Sequence, residues 1–175
     1  MNEINNDILN WIINYIEVDH KFYDYKFPPC PYAQSARLKG LIDIQSYNSG
    51  STWKFVFQRV TTFAENKQHN VCILAFPNYT KWNFLLRWRI RQLNKKLINK
   101  DYYMQYGLAL KTQSRYSELL TRKPYFVVII NCLSDVLSGH RALLKTDYYK
   151  PWATHHYNDV VVRRQKMYEK YSDTK

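Results

Sequence analysis

The residues best suited to chemistry cluster at Phe27-Pro28-Pro29-Cys30-Pro31-Tyr32-Ala33, where three prolines frame one cysteine. Proline fixes φ and removes an N–H donor, so this backbone is stiff before any tertiary contact forms. A short helical pattern, Ala33–Lys39, follows, with Pro31 suited to its first turn and Gly40 to its C-cap. At a helix start the dipole and free N–H groups stabilise a thiolate, which makes Cys30 a candidate nucleophile. Such a cysteine needs a base. The histidines are His20, His69, His140, His155 and His156, none at a diagnostic spacing; His140 and His155 are the candidate bases. The competing reading of Cys30 is a rigid turn with a half-buried structural thiol. Cys72 and Cys132 lie in or beside apolar strand patterns and read as inert core residues.

A second constellation is basic and aromatic. Between Lys81 and Lys100 there are seven basic residues and no acid. At about 100° per residue, Trp82, Leu86, Ile90, Leu93 and Leu97 form a stripe facing the interior. Phe84, Arg87, Trp88, Arg91 and Lys95 fall on the far side. Rings interleaved with cations suit nucleic acid, the cations for phosphates and the planes for base stacking. The plainer alternative is that the C-terminal helix covers Phe84 and Trp88 while the arginines are solvated. Further basic zones are Lys111, Arg115, Arg122 and Lys123, and Arg163, Arg164 and Lys166 on the last helix. The stretch from His140 through Tyr148, Tyr149 and Trp152 to His156 reads as a pocket rim for an anion, or as aromatic fastening of the last helix.

Other chemistries lack support. Adjacent His155 and His156 point apart on a helix, and no carboxylate or thiol stands at ligand spacing, so no metal is expected. Four glycines leave no phosphate-cradling loop, and no nucleophile elbow occurs, so no cofactor is expected either. Cys30-Pro31-Tyr32 has the order of a glutaredoxin active site, but no strand leads into it and Ala33 stands in place of the second cysteine. A thioredoxin-like reading is therefore rejected.

The elements that must position these residues follow from periodicity. Asn5-Asn6-Asp7 reads as the cap of a helix with Ile8, Leu9, Trp11, Ile12, Tyr15 and Ile16 on its buried face. Leu41–Ile44 reads as a strand, Trp53–Ala64 as a helix, although the alternation Trp53, Phe55, Phe57 equally suits a strand, and Val71–Phe76 as a buried strand closed by Pro77. A long helix over 80–99, a strand over 102–110 and the β-prone run Tyr125–Ile130 come next. Ser134–Thr146 is helical despite Gly139, and beyond Pro151 a helix spans Thr154–Tyr171, with Tyr157, Val160, Val161, Arg164 and Tyr168 on one face. The order β-α-β-α-β-β with flanking helices predicts an α+β fold. In it a mixed four-stranded sheet, ferredoxin-like at first guess, carries two central helices on one face, with extra N- and C-terminal helices.

Length and charge bound the rest. The 175 residues fit a single α+β domain, 1–175, with residues 1–26 as N-terminal helix and connector and 151–175 as C-terminal helix. The longest strongly apolar run, Phe126–Ile130, is far short of the ~20 residues of a membrane span. No secretory signal pattern opens the chain, and three cysteines without paired spacing suit free thiols in a reducing, cytoplasmic setting. The net charge is +12, yet residues 1–25 hold five acids against Lys21 alone. The body is thus strongly basic, which favours nucleic acid or an acidic protein as partner. Lys-rich solubilisation is the bland alternative.

The pieces Trp11, Cys30–Ala33, Val71–Pro77, Trp82–Phe84 and Pro124-Tyr125 together resemble an uncharacterised bacterial family. That family has an N-terminal tryptophan helix and a Cys-Pro-Phe-Ala motif, in which Tyr32 here replaces Phe. The Asn-, Lys- and Tyr-rich composition also resembles small uncharacterised proteins of marine tailed phages. Neither resemblance implies an activity; together they imply the architecture and a phage accessory role, in the host cytosol if phage-encoded. The leading expectation is a non-enzymatic binder of an anionic macromolecule, most plausibly nucleic acid. It would act through Phe84, Arg87, Trp88, Arg91, Lys95, Arg163, Arg164 and Lys166. The alternatives are a cysteine-dependent enzyme centred on Cys30, and an interaction module that docks on an acidic host or virion protein, with a homo-oligomer as a further candidate assembly.

Overall fold

The computed structural model describes residues 3–47, 52–66, 68–76, 84–109 and 125–172. Its centre is a mixed four-stranded sheet: β1 (Ile42–Ser46), β2 (Val71–Phe76), β3 (Tyr102–Ala109) and β4 (Tyr125–Cys132), in the order β1-β2-β4-β3. β1 and β2 are parallel, with Ile44 opposite Ile73, and β4 runs antiparallel to both its neighbours, β2 and β3. A parallel pair needs a crossover. The helix α3 (Thr52–Asn66) supplies it, and α4 (Phe84–Leu97) carries the chain from β2 to β3. The central strands β2 and β4 are apolar almost throughout, which is what burial on both faces demands. The class is α+β, but the strand order and the parallel β1–β2 pair differ from the ferredoxin-like arrangement.

Strand alternation divides the sheet between two cores. On one face Cys72, Leu74, Phe76, Phe126, Val128 and Ile130 meet Val56, Val60 and Phe63 of α3, with Ile90, Leu93 and Leu97 of α4. The helix stripe expected from periodicity therefore faces the sheet at its three described positions. Trp82, like the 111–123 loop, lies outside the described residues. Asn94 is buried in the same stripe, where its amide donates to the Met104 carbonyl (2.8 Å) and accepts from the Met104 N–H (2.7 Å). Backbone groups of the edge strand β3 are thereby satisfied from the helix layer.

Helices cover the second face as well, where a single helical face was expected. Ile8 and Ile12 pack on Ile73, Ala75 and Val127, and Leu133 and Leu137 pack with Tyr103 and Ile98. The first pair belongs to α1 (Glu3–Trp11) and the π-helical turn Ile12–Ile16 that continues it. The second belongs to α5 (Leu133–Leu143). α1 already includes Asn5 and Asp7, which were expected to cap it. Both side chains serve the sheet instead: Asn5 Nδ2 donates to the Ile44 carbonyl (3.0 Å), and Asp7 accepts from the Tyr125 hydroxyl (2.7 Å). The C-terminal helical segment runs as α6 (Thr154–Tyr157), a π-helical stretch Asn158–Val162 and α7 (Arg163–Ser172).

The proline–cysteine stretch is anchored from both sides. His20 Nδ1 accepts from Phe22 N–H (3.1 Å), so this histidine caps the short 3-10 turn Lys21–Tyr23. Tyr23 stacks on Tyr148 at 4.7 Å, the Tyr148 hydroxyl donates to the Pro29 carbonyl (2.6 Å), and Trp152 Nε1 donates to the Tyr23 hydroxyl (3.1 Å). The aromatics of 148–152 thus fasten the connector before Cys30 as well as the entry to the last helix. After the connector comes α2 (Ala33–Leu38), closed by Gly40 at φ 67°, a left-handed conformation that glycine adopts without penalty.

Candidate functional site

Two places concentrate chemistry, on opposite faces of the sheet. The first is the outer surface of the α3–α4 layer. Burying Ile90, Leu93 and Leu97 turns Trp88, Arg91 and Lys95 outward in one row, and Trp88 is 50% exposed. Covering by the C-terminal helix is not observed for Trp88, because α7 packs near β3 on the other face. The side chains of Phe84 and Arg87 lie outside the described residues. α3 adds exposed Lys54, Phe57 and Arg59, with Phe57 also 50% exposed. The one acid of α3, Glu65, stands 4.0 Å from Lys100. Large exposed rings beside exposed cations characterise a surface that meets another molecule.

The second place is a cavity of about 660 Å³ between the opposite sheet face and α1, α2, α5 and the C-terminal helical segment. It unites Cys30 and His140, which sequence spacing could not connect; His155 is exposed on α6 and does not line it. Cys30 is exposed and lines the cavity, where the neighbouring protein desolvates its thiol. This desolvation raises the thiol above its ordinary value and outweighs the N–H groups of Tyr32 and Ala33, which favour the thiolate; Glu17 opposes the thiolate further. Glu17 is held by a two-pronged pair with Arg37, both contacts at 2.8 Å. His140 does not pair with Cys30. Its Nδ1 lies 3.0 Å from the Tyr149 hydroxyl, and burial, followed by Arg164 and Arg141, lowers its basicity. A thiol raised in this way and a base engaged elsewhere do not form an activated nucleophile.

Arg164 is the residue whose location the sequence left divided. It belongs both to the basic run 163–166 and to the apolar helix face with Val160 and Val161, and the second membership prevails. Arg163 and Lys166 are exposed, whereas Arg164 turns inward and lines the cavity. Its guanidinium lies 5.0 Å from the Tyr103 ring centroid, and Nη2 donates to Gln105 Oε1 (3.0 Å). Nε is sealed from solvent and has no hydrogen-bond partner. Burial makes this guanidinium easier to deprotonate than an ordinary arginine, against opposing contributions from Tyr103 and Tyr149.

The approach of Tyr32 to α5 shapes the cavity wall. Its hydroxyl donates to the Gly139 carbonyl (2.7 Å), and a Cβ on Gly139 would stand 2.8 Å from the ring. The glycine that weakens the helical pattern therefore makes room for Tyr32. A smaller polar cavity of about 240 Å³ lies beside Asp43, Arg59, His69 and Cys72, where burial and Asp43 push the Cys72 thiol up. Among the described residues no three potential ligands cluster to hold a metal ion, and no helix is long and apolar enough to cross a membrane. Comparison with known proteins adds no relative: no family model, no curated protein and no solved structure matches the chain.

Proposed function

We propose that this protein is a non-catalytic binder of an anionic macromolecule, nucleic acid, held by the outer surface of α3 and α4. The observation that carries the reading is the row Trp88, Arg91 and Lys95, outward-facing and exposed, beside Phe57 and Lys54 of the neighbouring helix. The two helices are also nearly single-signed. α3 and α4 carry seven bases, Lys54, Arg59, Arg87, Arg89, Arg91, Lys95 and Lys96, against the one acid Glu65, whereas α1 and the turn after it carry Glu3, Asp7 and Glu17 on the other side of the sheet. A single-signed face focuses an anionic partner onto itself. The cations would neutralise phosphates, and the rings would stack on unpaired bases. In this reading the chain serves as a phage-like accessory protein in a host cytosol. The cysteine-enzyme alternative loses ground because its thiol is raised.

Fluorescence anisotropy with labelled single- and double-stranded oligonucleotides, across a salt series, tests the proposal. The expected result is micromolar or tighter affinity that weakens steeply with salt, with Arg91→Glu/Lys95→Glu abolishing binding. Trp88→Ala is expected to cost about 1–3 kcal/mol on single strands and less on duplex. Absence of binding at low salt overturns the reading. Equal affinity for polyglutamate would transfer the same face to an acidic protein partner.

A further inference from the structure

The cavity on the opposite face of the sheet is independent of the nucleic-acid reading, and we infer that it is a binding site for a small, largely apolar carboxylic acid whose charge partner is Arg164. Its volume, about 660 Å³, lies in the range of small-molecule sites. Its walls are apolar and aromatic, with Trp11, Ile73, Ile129, Leu137, Tyr148 and Val161 among them. Into this lining the fold places one guanidinium, packed over Tyr103 and fixed by Gln105.

That guanidinium lacks a counterion among the described residues. Among the described residues no carboxylate lies within ion-pair distance of Arg164, and its remaining neighbour in charge, Arg163, is of the same sign. The acid that does line the cavity, Asp135, is engaged by Asn70 and exposed. A charge withdrawn from water is normally retained where it is paired. An anion supplied from outside would give this guanidinium, whose buried Nε has no partner, the pairing it lacks. The planar fork of arginine fits a carboxylate in two-pronged fashion. A monoanion matches the site better than a phosphate dianion. The lining holds one guanidinium, that of Arg164; burial lowers the proton affinity of the neighbouring His140, and Lys39 at the lining is exposed. Tyr149, hydrogen-bonded to His140, completes a polar end opposite otherwise apolar walls.

Isothermal titration of the full chain with naphthoate, the matching naphthyl carbinol and naphthyl phosphate tests this assignment. Naphthoate is expected to bind at least about tenfold more tightly than the carbinol, because the charged hydrogen bond is made out of water. Arg164→Gln is expected to bring naphthoate down to the carbinol's affinity. Should that variant fail to fold, Arg164→Lys, which keeps the charge, is expected to retain the preference, and the comparison in the unmodified protein decides independently. Equal binding of acid and carbinol, no binding of either at millimolar concentration, tighter binding of the phosphate, or an undiminished preference in Arg164→Gln would overturn it.

Discussion

Gly139 and Tyr32 are matched: the ring occupies the space a Cβ would need, at 2.8 Å, and its hydroxyl is tied to the same residue's carbonyl. Gly139→Ala should destabilise the protein by about 1–3 kcal/mol in urea denaturation, overpacking outweighing the gain in helix propensity. In a Tyr32→Ala background the sign should reverse, to a gain of up to about 1 kcal/mol; no reversal would refute the steric cause. At Cys30 the neighbouring protein opposes ionisation. The pH profile of iodoacetamide labelling at Cys30, followed by mass spectrometry, should rise only above the ordinary thiol value of about 8.5. A plateau already reached at neutral pH would restore the nucleophile. His140 gives a pH dependence of the opposite kind. Its folded-state affinity for a proton is lowered from the ordinary 6.5, so its contribution to stability is intact above that value and lost as the pH falls below it. Between about pH 7.5 and about pH 5.5, His140→Gln should lose less stability than the unmodified protein, by at most about 1.4 kcal/mol per pH unit.

At the scale of elements, the helices owe their rotation to apolar spacing and their exact limits to partners across the sheet. The 3.6-residue stripe alone places Ile90, Leu93 and Leu97 inward and hence Trp88, Arg91 and Lys95 outward. Asn94, polar within that stripe, shows no such signal in the sequence, because its reason is the edge-strand backbone of β3 at Met104, buried beneath the helix. Asn94→Leu should cost about 2–4 kcal/mol in denaturant melts, since it orphans a buried N–H and C=O together; a loss below about 1 kcal/mol would mean that water reaches the strand edge. The start of α1 was misread for a related reason. Asn and Asp are favoured caps, but Asn5 and Asp7 are claimed by Ile44 and Tyr125, and long-range hydrogen bonds override a local preference.

The whole molecule is polarised by layer. α3 and α4 present the basic aromatic surface, and the second layer holds the acidic first helix, the cavity and the C-terminal segment. Arg163 and Lys166 are thus separated by the sheet from Arg91 and Lys95, and Arg163 is already accompanied by Asp159 at 4.0 Å. Arg163→Glu/Lys166→Glu should therefore weaken oligonucleotide binding less than Arg91→Glu/Lys95→Glu; anisotropy on both pairs at one salt concentration checks this, and equal losses would place the footprint across both layers. The sequence by itself determined the α+β class, the span of β2, the inward stripe of α4 and the existence of a basic aromatic face. These depend on periodicity and composition, which are local properties. Only the tertiary structure decided that helices close both faces of the sheet, that Cys30 and His140 share a cavity, and that Arg164 leaves its basic neighbours for the interior. Those outcomes rest on pairings between residues far apart in the chain, such as Tyr32 with Gly139 and Gln105 with Arg164, which no local pattern encodes.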